Sequence, residues 1–147
     1  MQETLLACEP RVQQVYTTLI EGWNQAGGTV QCSRPGRIYL KILSREHKFG
    51  EYGRQSHKFN LAVLAAPKGK RGQSIDITCS LAKGELAYLD YVPDAVAQFE
   101  NRMANLPGFE QAGTVHRLVI DEGFQLEHSQ MLLDAMLNLR DVGGVSA

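Results

Sequence analysis

Residues 37–45 read Arg-Ile-Tyr-Leu-Lys-Ile-Leu-Ser-Arg. Ile38, Leu40 and Ile42 alternate with Tyr39, Lys41, Leu43 and Arg45. A period of two is the pattern of an extended strand with one covered face and one more polar face. Two further stretches repeat it. Lys58 to Ala66 places Phe59, Leu61, Val63 and Ala65 on one side, and Ser74 to Leu81 places Ile75, Ile77, Cys79 and Leu81 inward with Ser74, Asp76, Thr78 and Ser80 outward. Thr29 to Ser33 precedes them as a short strand, joined through the turn Arg34-Pro35-Gly36. The four together predict an antiparallel meander.

Helical periodicity lies on either side of this block. Val12, Val15, Tyr16, Leu19, Ile20 and Trp23 form one apolar stripe on a 3.6-residue period, which predicts a helix over 9–26. Pro10 suits its first turn, where a missing N–H costs nothing, and Gly27-Gly28 ends it. A second helix over 93–105 presents Val96, Phe99 and Met103, begins at Pro93-Asp94 and stops at Leu106-Pro107-Gly108. Thr114 to Ile120 reads as a fifth strand. A last helix, about 125–140, places His128, Met131, Leu132, Ala135, Met136 and Leu139 on one face, and 142–147 reads as a loose tail. The order α-β-β-β-β-α-β-α predicts one α+β domain over 1–147, a mainly antiparallel sheet with helices packed on one face.

The totals agree with a globular chain. It has 147 residues, 44% hydrophobic and 21% charged, enough to bury a core without disulfides or metals. No apolar run approaches the ~20 residues needed to cross a bilayer. Met1 to Glu9 holds acidic residues and no basic start, so it does not read as a secretory signal, and a cytoplasmic location is the expectation. Cys8, Cys32 and Cys79 contain no C-x-x-C pair, which suggests neither a disulfide framework nor a zinc knuckle.

Charge is the feature that points toward function. The net charge of −1 hides a segregation. Residues 34–71 hold ten Lys/Arg against Glu46 and Glu51, whereas 72–147 hold four basic and eleven acidic residues, and no Asp occurs before Asp76. Cations grouped in this way attract polyanions or an acidic protein surface. Nucleic-acid binding needs cations for phosphates and, for single strands, aromatic faces for bases. The basic stretch supplies Lys41, Arg45, Lys48, Arg54, Lys68, Lys70 and Arg71 as anion-binding candidates, interleaved with Tyr39, Phe49 and Tyr52. The loop EHKFGEYGRQSH (46–57) and the basic turn PKGKRGQ (67–73) leave opposite ends of the strand they share, so these residues need not form one compact patch. The expectation is a non-enzymatic binding module for nucleic acid or an acidic protein surface. A homodimer joined through complementary charged patches is an alternative reading of the same pattern.

Catalytic signatures are weak. Gly69-Lys70-Arg71-Gly72 lacks P-loop spacing, and no G-x-S-x-G elbow occurs. His47, His57, His116 and His128 make no H-x-x-x-H or H-E-x-x-H pair, so no metal or cofactor is implied. Glu46-His47-Lys48 with His57 and Asp76 is the set a hydrolase acting on a phosphorylated substrate would use.

Overall fold

A computed structural model describes residues 1–34, 36–43, 47–48, 54–55, 58–67, 72–77, 93–112 and 115–143. A five-residue helix, α1 (Gln2–Leu6), precedes α2 (Pro10–Gln25). Pro10 lies in the first turn of α2, and Gly27 beyond its end takes φ +84°, a left-handed conformation that glycine adopts without a Cβ clash. Strands follow as β1 (Thr29–Arg34), β2 (Arg37–Leu43), β3 (His47–Lys48), β4 (Arg54–Gln55), β5 (Lys58–Ala65) and β6 (Ser74–Ile77). Then come α3 (Pro93–Ala104), β7 (Phe109–Ala112), β8 (Val115–Val119), α4 (Leu126–Asn138) and a π-helical turn, Leu139–Gly143.

Six strands form one antiparallel sheet in the order β1-β2-β5-β6-β8-β7, and β3 and β4 pair as a separate two-stranded ladder. The α+β class and the antiparallel sheet are therefore as the periodicities predict. Register links one apolar row across the sheet: Ile38 opposite Leu64, Leu64 opposite Ile75, Ile75 opposite Leu118. Those four side chains have no exposed surface, and they share one core with Val12, Tyr16, Leu19 and Trp23 of α2, Val96 and Phe99 of α3, and Leu132 and Met136 of α4. Helices and sheet bury each other's apolar faces, which is the largest favourable term available to the fold.

Polar anchors fix α2 on the sheet. The Tyr16 hydroxyl donates to the carbonyl of Ala65 at 2.6 Å and lies 3.0 Å from that of Ser74. Burial drives this phenol's pKa above the ordinary tyrosine range, so it stays a donor. Trp23 Nε1 donates to the Lys41 carbonyl at 3.0 Å. The Arg140 guanidinium lies over the Trp23 ring, 5.4 Å from its centroid, and Nη1 donates to the Ala26 carbonyl at 2.7 Å. Gly22 of α2 lies against Leu133 of α4, and a β-carbon there would displace the end of the Leu133 side chain.

Several expectations require correction. The alternation in β5 does not run straight through. A bulge lies where Leu40 pairs with Ala62 but Lys41 pairs with Asn60, leaving Leu61 as the extra residue. Phe59 is in register with Ile42, and beyond the bulge Ala62 and Leu64 take the covered face and Val63 turns to the other. In α4, Met131 is 53% exposed rather than part of the apolar stripe, and Leu133 is buried instead. His128 is half-buried, and its Nδ1 accepts from the Gln125 N–H at 2.8 Å, so it caps the helix start rather than joining the core. The polar run 46–57 contains β3 and β4, and α1 and β7 are additions to the predicted order. Strand β6 is described to Ile77; Cys79, Leu81 and tail residues 144–147 lie outside the described residues.

Candidate functional site

The sheet's second face carries a different row. Gln31 is opposite Tyr39, Tyr39 opposite Val63, Val63 opposite Asp76, Asp76 opposite Arg117 and Arg117 opposite Glu110. Tyr39, Val63, Asp76 and Arg117 are all half-buried, in contrast to the sealed row behind them. Alternation makes this separation: Tyr39 lies between Ile38 and Leu40, both wholly buried.

Charge is handled unequally along this row. Arg117 Nε donates to Asp76 Oδ1 at 2.7 Å, and Arg117 Nη1 lies 3.7 Å from Glu110 Oε1. The bond to Asp76 and the carboxylate charge raise the Arg117 pKa further above its ordinary value. Toward β1 and β2 the neighbours are different. Arg34 at the end of β1 is directly opposite Arg37 at the start of β2, across the Pro35-Gly36 connection. Lys48 of β3 is directly opposite Arg54 of β4. Like charges directly opposite in a ladder repel each other. Among the described residues the ion pairs all involve His116, Arg117 or Arg140, and none involves Arg37 or Lys41.

Of the anion-binding candidates, Lys41 is the best defined. It lies on the Tyr39 side of β2, half-buried, with Nζ 5.9 Å from the centroid of the Tyr39 ring. Its backbone is held from behind by the Trp23 indole, so the core fixes the strand under this cation. Lys48 and Arg54 are brought together as ladder partners. Arg45, Lys68, Lys70 and Arg71 lie outside the described residues. The segment that carries the last three joins β5 to β6, at the other end of β5 from β3 and β4. Arg34 and Arg37, at the end of β1 and the start of β2, are two further cations of the basic segment beside the seven candidates.

The hydrolase set is divided. His47 is paired opposite Gln55 in the small ladder, whereas Asp76 lies within the six-stranded sheet and is engaged by Arg117. Glu46 and His57 lie outside the described residues. A shallow groove between α2 and α4, lined by Thr18, Glu21, Gln25, Gln130 and Leu133 over Gly22, contains none of these groups. No cluster of three metal-ligating side chains occurs among the described residues, and no described helix is long and apolar enough to cross a membrane.

One titratable group, His116, lies in the core. His116 is 8% exposed, its ring stacks on Phe109 at 5.6 Å, and Nε2 lies 3.9 Å from Glu100 Oε2. Its buried Nδ1 has no hydrogen-bond partner among the described residues. The signal was its alternation with Leu118 and Ile120, which assigns it to the covered face. Comparison of the chain with protein-family models, curated proteins and solved structures finds no match.

Proposed function

We propose that this domain is a binding module for an anionic partner, engaged through the basic segment 34–71, with nucleic acid the partner its chemistry fits best. The observation that carries the reading is that strand register pairs basic positions of this segment with basic positions. Arg34 is in register with Arg37, and Lys48 with Arg54. Like charges at paired ladder positions are unfavourable in general, and an anion between them turns that repulsion into attraction. Lys41 adds a fifth charge on the same strand as Arg37. Its fixed backbone matches what a phosphate-tracking surface needs, since cations held by a rigid scaffold lose less freedom on binding.

The test is fluorescence anisotropy of a labelled mixed-sequence oligonucleotide across a salt series. If the seven candidates Lys41, Arg45, Lys48, Arg54, Lys68, Lys70 and Arg71 make phosphate contacts, affinity should fall about 10³-fold between about 50 and 200 mM salt. Lys41→Ala should reduce the slope of log affinity against log salt by about one. Absence of binding at low salt to any nucleic acid overturns the nucleic-acid assignment. Salt-sensitive binding to an acidic polypeptide in its place would redirect the proposal to a protein surface.

A further inference from the structure

Building on that reading of segment 34–71, we infer that the partner is single-stranded nucleic acid and that Tyr39 is the side chain on which one of its bases stacks. Among the other described large aromatics, Tyr16, Trp23, Phe99 and Phe124 are at most 2% exposed, and the half-buried Phe109 packs against the core and stacks on His116. Tyr39 differs. It lies on the opposite side of β2 from Ile38 and Leu40, half-buried, with a cation 5.9 Å from its ring centroid. Gln31, directly opposite it on β1, is exposed and brings an amide that both donates and accepts hydrogen bonds.

These are the elements by which sheet surfaces take unpaired bases: an aromatic face for stacking, a neighbouring cation for phosphate and an amide for a base edge. A duplex keeps its base faces within its own stack, so an aromatic platform gains nothing from it. An acidic polypeptide offers charge but no flat π-face to match the ring. The carboxylates on the same row do not oppose the approach. Asp76 lies two strands from Tyr39, roughly 10 Å away, with Val63 between, and Asp76 and Glu110 are both held by Arg117.

The experiment compares a labelled single strand with its duplex at low salt, for the wild-type chain, Tyr39→Phe and Tyr39→Leu. The single strand should bind about ten-fold or more tightly than the duplex. Tyr39→Phe, which keeps the π-face, should bind as wild type, whereas Tyr39→Leu should lose about ten-fold in single-strand affinity. Thermal melting identifies any variant that has simply unfolded. If Tyr39→Leu melts early, Tyr39→Trp serves in its place, and its indole fluorescence should be quenched by the oligonucleotide. Wild-type affinity in a folded Tyr39→Leu, an unquenched Tyr39→Trp, or preference for the duplex overturns the inference. If duplex binding persists and Lys41→Ala still flattens the salt slope, the stacking inference alone falls. If no nucleic acid binds, both fall.

Discussion

At the β6–β8–β7 end of the sheet, Arg117 sits in register between Asp76 and Glu110, with both carboxylates within 4 Å of its guanidinium. At the β1–β2 end, Arg37 sits in register with Arg34, and Lys41 has a tyrosine ring rather than a carboxylate beside it. Both ends share one sheet and one core. The first end settles its charge within the fold. Among the described residues, the second holds no ion pair at Arg37 or Lys41. A protein gains little stability from either arrangement at a solvated surface, so under the proposed function the contrast bears on binding more than on folding.

Three substitutions would break or sharpen that contrast. The largest effect is expected at Trp23, which is wholly buried and supports the strand beneath Lys41. Trp23→Ala should cost about 3–5 kcal/mol in urea unfolding and should abolish oligonucleotide binding with it. If binding survived in a folded variant, the cationic end would not depend on the core behind it.

Tyr16→Phe should cost about 1–2 kcal/mol by the same measurement, because the Ala65 carbonyl would be left buried without the hydroxyl that now serves it. Since Tyr16 anchors the middle of the sheet through β5 and β6, binding by the folded fraction should not change. A selective loss of affinity would mean that the two ends are less separate than their charges suggest.

Asp76→Asn should have the smallest effect on stability, about 1 kcal/mol or less, because the Arg117 and Asp76 side chains are 34% and 24% exposed and the pair is screened by solvent. It releases Arg117 from its nearer carboxylate, so low-salt affinity for an oligonucleotide should rise modestly. A loss of several kcal/mol would show that this end of the sheet is sealed, and the comparison would fail.

Much of this molecule was legible residue by residue. The stripe from Val12 to Trp23 and the alternation from Ile38 to Ile42 are local patterns, set by the geometry of a helix and of a strand, and each found its element. The segregation of cations into 34–71 was equally plain. The chain by itself therefore determined the three long helices, the main strands, the α+β class and the stretch richest in positive charge.

Tertiary structure alone decided who faces whom. The Leu61 bulge reversed the alternation of β5, because one residue without a ladder partner exchanges the faces of those that follow it. Strand β7 has only Phe109 as a large apolar residue and exists by pairing with β8. Arg117 found Asp76 from 41 residues away, while Arg34 met Arg37 across a turn. Register is a property of pairs of strands. No single stretch of sequence encodes it, and it is register that separates the neutralised end of this sheet from the cationic one.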